Sequence, residues 1–295
     1  AGPFGNIAHG NSSIIGDLIG ERCADYLITE AGFGADMGAE RFFNIKCRTS
    51  GMVPDAAVLV ATVRALKAHS GKFKIVAGKP LPPDLLAENP DDVRAGAANL
   101  IKQIENVKVH GVSPVVAINA FPGDFDSEHQ AIREIAESVG ARVAVCTHFS
   151  DGGKGATDLA RAVVEACDEA SNFQFAYELE DSLKTKIEKV ATKIYGAANV
   201  TYSAAANTQL ARYEKNGFGN LPVCIAKTHL SISADASLKG APTGHTVNVR
   251  EVRASVGAGF IYLICGDMTT MPGLGSAPAA SRIDFDEHGE IVGLS

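Results

Sequence analysis

The segment PVVAINAF, residues 114–121, is a continuous apolar run that ends in an aromatic residue. Continuous runs of Val, Ile and Ala bounded by Gly, Pro or Asn are typical of parallel strands that are covered on both faces. Four other runs have the same character: DYLITE (25–30), AAVLVATV (56–63), FKIVAG (73–78) and ARVAVCTHF (141–149). The sequence therefore predicts a parallel β-sheet in the first part of the chain.

Helical patterns lie between and after these runs. Apolar side chains recur at helical spacing in 91–109 and 127–139, and a third helix is predicted over 157–169. Ser127, followed three residues later by Gln130, predicts a capping box at the start of the second helix. Alternating strands and helices predict an α/β fold, with a parallel sheet flanked by helices.

The pattern changes near residues 171–178. The elements predicted after that point are helices over 182–195 and 203–216, a strand over 221–228, a helix over 249–257 and a strand over 259–266. We therefore expect an α/β domain at 1–175 and a smaller α+β C-terminal domain at 176–295.

Composition excludes several classes of protein. The 295 residues carry a net charge of -7, which argues against the concentrated basic face that nucleic-acid binding needs. No apolar stretch is long enough to span a membrane. Six cysteines are scattered without a CxxC pair, which indicates reduced, buried thiols in a cytosolic protein. The eight histidines form no HExxH, and we expect no metal site.

The segment TEAGFGADMGAE (29–40) carries the spacing GxGxxxG in Gly32, Gly34 and Gly38. This is one residue longer than the dinucleotide-binding fingerprint. A nicotinamide-binding loop and a turn that only redirects the chain are both open interpretations. Because the segment follows a predicted strand, we expect a ligand to approach this loop at the carboxyl edge of the sheet.

Two aromatic residues follow neighbouring predicted strands at the point where each strand ends. Phe121 closes AINAF, and Phe149 closes CTHF; a glycine-rich polar turn follows each. Two rings at adjacent strand ends could hold a flat heterocycle between their faces. The alternative is that each ring packs into the local hydrophobic core.

Three further motifs do not match a complete signature. SGKF, AGKP and GGKG lack the Ser or Thr that follows Lys in a P-loop, so the chain as given contains none. IDFDEHGEIVG (283–293) departs from a calcium loop at two ligand positions, and an acidic hairpin is favoured. Lys46 and Arg48 could contact an anion, but we expect solvated charges.

Several long blocks carry a family resemblance. They are GPFGNIAHG, TEAGFGADMGAERFFNIKCR, PDAAVLVATVRALKAH, VVAINAFPGD, GFGNLPVCIAKTHLSIS, VREVRASVGAGFIY and GDMTTMPGL. Together, in this order and along the whole chain, they resemble formate–tetrahydrofolate ligase. The resemblance implies the C-terminal portion of a P-loop-NTPase-like core. It also implies that the first block lies near the middle of a longer chain, so we expect the P-loop in a preceding half.

The resemblance implies a two-step reaction. ATP phosphorylates formate to formyl phosphate, and the N10 amine of tetrahydrofolate then displaces phosphate, giving 10-formyltetrahydrofolate, ADP and phosphate. This chemistry needs a clamp for the phosphoryl charge and tight positioning of the amine. We expect the clamp in the preceding half, no catalytic residue here and no turnover by this chain alone. ATP with Mg and tetrahydrofolate are implied as substrates, with no tightly bound cofactor.

The resemblance also implies site residues. Phe121 and Phe149 would hold the pterin, with Phe149 where the family has Trp, and Phe33 would lie beside the folate. The implied nucleotide-side residues are Gly5, Asn6, Gly32, Gly34, Cys146, Thr147 and His148. The protein is expected to be a cytoplasmic homo-oligomer that binds neither nucleic acid nor membrane. A non-catalytic folate- or partner-binding module and a nicotinamide-dependent oxidoreductase are the alternatives.

Overall fold

A computed structural model describes residues 9, 11–76, 79–268, 277–289 and 291–293. In its first part, β1 (Ala56–Ala61), β2 (Ser113–Asn119) and β3 (Arg142–Cys146) form a parallel sheet in that order. Three of the five predicted parallel strands are therefore confirmed. Since the strands are parallel, their carboxyl ends meet at one edge of the sheet.

The other two predicted strands are wrong within the described residues. Residues 25–30 and 73–76 are irregular, and 77–78 lie outside the described part. The side chains of Tyr26, Leu27 and Ile28 are exposed. An apolar run becomes a buried strand only where neighbouring strands pair with its backbone and helices cover its faces. The loop 29–34 thus does not follow a strand, contrary to expectation.

The described ranges of the first part contain a 3-10 turn at Gly152–Ala156 and nine α- or π-helices. They are α1 (Ile14–Cys23), α2 (residues 35–50), α3 (Val63–His69), α4 (Pro83–Leu86), α5 (Pro90–Ala95), α6 (Ala97–Val109), α7 (Asp126–Ser138), α8 (His148–Asp151) and α9 (Thr157–Cys167). The predicted helix 91–109 is two helices that meet at Gly96. A Cβ at Gly96 would lie 1.8 Å from the carbonyl oxygen of Leu66, so this packing requires glycine.

The capping-box prediction for α7 is wrong in its residues. The N-cap is Phe125, and its backbone N–H donates to the Glu128 carboxylate at 3.3 Å. Ser127 instead donates its hydroxyl to the Glu88 carboxylate. Glu128 also forms a buried ion pair with Lys67 of α3. Ser127 and Glu128 therefore both contact residues outside α7, and local spacing does not show these contacts.

The helix α2 lies between the first sheet and the second part of the chain. It contains π-helical stretches at Ala35–Ala39 and Phe42–Cys47 and ends with an α-helical turn, Arg48–Ser50. One set of its side chains, including Phe43, packs with Val107 and Val112 near the first sheet. The opposite set contacts the second part: Ile45 packs with Cys224 and Phe260.

The second part contains a mixed four-stranded sheet. Its elements are α10 (Leu183–Lys193), β4 (Asn199–Tyr202), α11 (Ala204–Lys215), β5 (Val223–Ala226), β6 (Thr246–Ser255) and β7 (Phe260–Cys265). The strand order is β4-β6-β7-β5, with β4 parallel to β6, β5 parallel to β7, and β6 antiparallel to β7. A hydrophobic core beneath this sheet includes Ile187, Val190, Tyr195, Leu210 and Leu263.

The predicted helix 249–257 is wrong, because most of this segment belongs to β6. Val247, Val249 and Val252 are buried along the strand. The pairing of β6 with β7 shifts register between Val249 and Glu251. A bulge of this kind breaks the two-residue alternation. Val249 and Val252 are consequently three residues apart on the buried face, which resembles helical spacing.

The remaining features of the described residues are the C-terminal hairpin, the state of the cysteines and the character of the helices. A short antiparallel hairpin pairs β8 (Asp284–Phe285) with β9 (Ile291–Val292), which confirms the acidic hairpin. All six cysteines are free; Cys47, Cys146, Cys224 and Cys265 are buried, Cys167 is half-buried and Cys23 is exposed. Among the helices of the described ranges, none has the length and apolar character needed to cross a membrane.

Candidate functional site

The carboxyl edge of the first sheet brings together Arg64 and the two predicted aromatic residues. Arg64 lies in the first turn of α3, directly after β1, where the Thr62 hydroxyl caps the helix by accepting the Ala65 N–H at 3.1 Å. The carbon of its guanidinium group lies 4.6 Å from the centroid of the Phe121 ring, which follows β2. This is a cation–π contact between residues at two neighbouring strand ends.

A tight turn holds Phe121 at this edge. Its N–H donates to the Asp124 carboxylate at 3.0 Å, and its carbonyl accepts the Asp124 N–H at 3.0 Å. Gly123 has a φ of 93°, a conformation that favours glycine. The Phe121 side chain is 39% exposed. The ring therefore lies at the surface and not in the hydrophobic core.

Phe149 lies on the short helix α8, just after β3. Its side chain is 86% exposed, which contradicts the alternative that it packs into the core. Two hydrogen bonds brace the preceding turn: the Thr147 hydroxyl donates to Asp151 at 2.6 Å, and the Thr147 N–H donates to the Gly155 carbonyl at 3.0 Å. A Cβ at Gly155 would lie 2.5 Å from the Thr147 carbonyl carbon. An exposed aromatic ring on a hydrogen-bonded turn is available to a ligand.

Two predicted nucleotide-side residues flank this turn. Cys146 is the last residue of β3; its thiol is buried and its carbonyl accepts the Ala120 N–H at 3.0 Å. Burial raises the pKa of the Cys146 thiol, which disfavours the reactive thiolate. His148 is exposed. Gly5 and Asn6 lie outside the described residues.

The loop that carries Gly32, Phe33 and Gly34 has different neighbours. Phe33 has a φ of 67°, which is rare for a residue other than glycine. Its ring is 45% exposed and its centroid lies 6.0 Å from that of the His229 ring. His229 is exposed and follows β5. The structure therefore places Phe33 beside the carboxyl end of β5, which is a strand of the second sheet.

A buried ion pair anchors this loop. Asp36, in the first turn of α2, is 5% exposed, and its carboxylate lies 2.6 Å from the ammonium nitrogen of Lys227, which is fully buried. Gln103 accepts the backbone N–H of Asp36 at 2.8 Å and donates its amide to the Asp36 carboxylate at 2.9 Å. Burial lowers the pKa of Lys227, and the Asp36 charge opposes that shift.

Sequence reasoning missed Arg64, Asp36, Gln103 and Lys227. Only Lys227 gives a signal, because a lysine at the end of the apolar run PVCIA has to find a partner if it is buried. The partner itself cannot be identified from spacing. Arg64 becomes notable only once β1 and β2 are known to be neighbours.

A second buried charge lies close by in α2. The Glu40 carboxyl is fully buried and accepts the Asn44 amide at 2.9 Å. Burial raises the pKa of Glu40 to about 7, although the Asn44 hydrogen bond and the Arg41 charge act in the opposite direction. Arg41 donates to the Ile225 carbonyl of β5 at 2.6 Å. The contact between α2 and the second sheet is therefore partly ionic.

Lys46 and Arg48 are not solvated charges, contrary to expectation. Lys46 is buried and forms an ion pair with Asp17 of α1. The Arg48 guanidinium carbon lies 3.7 Å from the Phe175 ring centroid, and Arg48 donates to the Tyr177 carbonyl. Both side chains join elements of the fold. Across the part of the chain that the structure describes, no group of three or more His, Cys, Asp or Glu side chains could hold a metal ion.

Comparison with known proteins identifies the family that the chain resembles. The family model described as "Formate--tetrahydrofolate ligase" matches residues 1–295. Proteins of that name from Saccharopolyspora erythraea, Cutibacterium acnes and Roseiflexus sp. are 72%, 65% and 57% identical to the chain, which each alignment covers completely. The matched region is 52% of each relative, so the chain spans about half the length of these curated relatives. The chain belongs to the formate–tetrahydrofolate ligase family.

Proposed function

We propose that this chain supplies the tetrahydrofolate-binding surface of a ligase that joins formate to tetrahydrofolate at the expense of ATP. The products are 10-formyltetrahydrofolate, ADP and phosphate, and the intermediate is formyl phosphate. The observation that carries the proposal is the family match along all 295 residues, at up to 72% identity to the relatives cited above. The name of those relatives states both substrates of the ligation.

The carboxyl edge of the first sheet is the proposed pterin site. Phe121 and Phe149 follow adjacent parallel strands and expose their rings. A pterin is flat and aromatic, so it gains most by stacking on such rings. The Arg64 guanidinium lies over part of the Phe121 ring. Binding here would hold the N10 amine in place, which is the contribution that positioning makes to acyl transfer.

The nucleotide side of the proposed site uses backbone groups. Gly32, Gly34 and the turn 146–148 are our candidates, together with Gly5 and Asn6. ATP with Mg is proposed as a substrate pair, with no tightly bound cofactor. The phosphate clamp is proposed to lie in polypeptide equivalent to the rest of the relatives' length, since this sequence contains no complete P-loop signature. The isolated chain is then inactive.

The wider organisation is also a proposal. We propose a P-loop-NTPase-like core to which residues 1–175 contribute, and a smaller C-terminal domain at 176–295. Separate hydrophobic cores support this division: one includes Val116 and Ile132, the other Ile187 and Leu263. The full protein is proposed to be a cytoplasmic homo-oligomer.

A chimera tests the proposed reaction. In it, this chain replaces the matching region of the Saccharopolyspora erythraea relative, to which it is 72% identical. Formation of 10-formyltetrahydrofolate from formate, tetrahydrofolate and ATP is expected from the chimera and not from the isolated chain. A folded chimera that binds tetrahydrofolate without turnover would instead favour a non-catalytic binding module.

A further inference from the structure

One ammonium group connects two surface loops that carry exposed rings. The Lys227 Nζ lies 2.6 Å from the Asp36 carboxylate, at the base of the loop that carries Phe33. The same Nζ donates to the Ser231 carbonyl at 2.6 Å and to the Thr228 carbonyl at 3.2 Å. These two carbonyls flank His229. Lys227 is thus bonded at once to both loops.

The loop that carries Phe33 is held in a demanding conformation. Phe33 has left-handed backbone geometry, which costs free energy for a side chain with a Cβ. A Cβ at Gly38 would lie 1.8 Å from the Gly32 carbonyl oxygen, so the loop backbone lies directly on α2. Such a conformation persists only where surrounding contacts over-determine it. The Asp36 contacts with Lys227 and Gln103 are among those contacts.

We infer that Lys227 is a positioning residue that fixes the Phe33 and His229 rings relative to each other. It acts through Asp36 on one loop and through the Thr228 and Ser231 carbonyls on the other. The two rings lie 6.0 Å apart, are tilted by 33° and form a small exposed aromatic surface. This inference rests on the proposed function in one respect: the group that contacts this surface is part of the tetrahydrofolate whose pterin is proposed to stack on Phe121 and Phe149.

Hydrogen exchange on the 295-residue chain, without ligand, tests the positioning role. In Lys227→Met, two pairs of hydrogen-bonded amides are expected to exchange at least about tenfold faster: Met37 and Gly38, which donate to the Gly34 carbonyl, and Leu230 and Ser233, which donate to the Thr228 and Ser231 hydroxyls. Lys227→Arg, which keeps the charge, is expected to restore most of the protection. Gln103→Ala removes hydrogen bonds to Asp36 and leaves Lys227 bonded to the second loop, so it should accelerate Met37 and Gly38 and leave Leu230 and Ser233 unchanged.

Lys189→Met is the matched control, because Lys189 also forms a 2.6 Å ion pair, with Asp181, on a partly exposed face of α10. Lys189→Met should leave amide exchange in both loops unchanged. Unchanged exchange of both pairs of amides in a folded Lys227→Met chain would overturn the inference. If Lys227→Met does not fold, Asp36→Asn decides, because it removes the charge that pairs with Lys227: faster exchange of Met37 and Gly38 supports the role, and no change overturns it.

Tetrahydrofolate titration of the same variants separates the two proposals. Lys227→Met and Gln103→Ala should weaken tetrahydrofolate binding about tenfold, with rescue by Lys227→Arg. If the unmodified chain binds no tetrahydrofolate, the proposed function of this surface is wrong, whereas the exchange result still decides whether Lys227 positions the loops. Selective exchange changes with unaltered tetrahydrofolate affinity would show that tetrahydrofolate does not contact this surface.

Discussion

The guanidinium carbon of Arg64 lies 4.6 Å from the ring centroid of Phe121, across the carboxyl ends of β1 and β2. This contact joins two residues that are far apart in sequence and follow neighbouring strands. It places a fixed positive charge on an aromatic ring that is partly open to solvent. The contact defines which part of the Phe121 ring a ligand can reach.

Removal of Arg64 is expected to weaken tetrahydrofolate binding without unfolding the chain. An exposed cation–π contact contributes about 0.5–1 kcal/mol, so Arg64→Ala should raise the Kd about two- to fivefold. Arg161→Ala is the matched control, since Arg161 is exposed and pairs with Asp158 on α9. Calorimetric titration checks both variants. Equal affinity in the Arg64→Ala and unmodified chains would contradict a role for this contact.

Substitutions of Phe149 can be used both to weaken and to strengthen tetrahydrofolate binding. Because its side chain is 86% exposed, substitution should leave the free energy of unfolding almost unchanged. Loss of the ring in Phe149→Ala should raise the Kd for tetrahydrofolate about tenfold, and Phe149→Trp should lower it, since indole has a larger stacking surface and an N–H donor. Phe285→Ala, at another exposed ring, is the control. A Phe149→Ala chain that binds normally would remove Phe149 from the site.

Acid should destabilise the fold through His110. Its ring is buried 4.6 Å from that of Phe43, and its Nδ1 lies 3.0 Å from the Gln174 carbonyl. Burial lowers the pKa of His110 from 6.5 to about 4. The unfolded chain therefore binds the proton more readily, and stability is lost as the pH falls from 6.5 towards 4, by up to about 3 kcal/mol.

Urea unfolding of the unmodified chain and of His110→Asn checks this prediction. Asn retains a donor near the Gln174 carbonyl but does not titrate. The free energy of unfolding of the unmodified chain should fall more steeply than that of the variant between pH 6.5 and pH 4, the window set by the two pKa values. Parallel curves would show that His110 contributes nothing to the acid sensitivity.

Glu40 should destabilise the fold as the pH rises, which is the opposite of the pH dependence predicted for His110. Burial raises the pKa of Glu40 from 4.5 to about 7, so the folded chain holds this proton more tightly than the unfolded chain. Stability contributed by the protonated carboxyl is complete below 4.5 and is lost as the pH rises through about 7. The change that Glu40→Gln makes to the free energy of unfolding should therefore be more favourable at about pH 8 than at about pH 5, by about 3 kcal/mol.

Glu105→Gln is the control for Glu40, because it makes the same chemical change at an exposed position on α6. Urea unfolding at both pH values gives the comparison. If Glu40→Gln changes stability equally at the two pH values, the Glu40 carboxyl is ionised in the folded chain throughout this range.

The parts of the fold that were predictable are those in which local pattern and tertiary environment agree. β1, β2 and β3 are buried apolar runs with turn residues at their ends, and the positions of Phe121 and Phe149 follow from them. β6 was not predictable as a strand, because its bulge gives Val249 and Val252 the spacing of a helix. The irregular segment around Ile28 has the residues of a strand but no partner strand.

The side chains that complete the candidate site depend on long-range contacts. Spacing alone cannot pair Lys227 with Asp36, or place Arg64 over Phe121, because each pair joins elements that meet only in the folded chain. The exposed rings were predictable in position but not in exposure, which depends on what packs against them. The family resemblance supplied what pattern could not: a reason for two rings at adjacent strand ends.

Titration of the purified 295-residue chain with tetrahydrofolate, beside the Phe121→Ala variant, tests the central claim most directly. We predict saturable binding by the unmodified chain, at least about tenfold weaker binding by Phe121→Ala, and no 10-formyltetrahydrofolate when ATP and formate are added. Absence of saturable tetrahydrofolate binding, or equal binding by the variant, would contradict the proposed folate surface. Turnover dependent on ATP and formate by this chain alone would contradict the proposal that the phosphate clamp lies elsewhere.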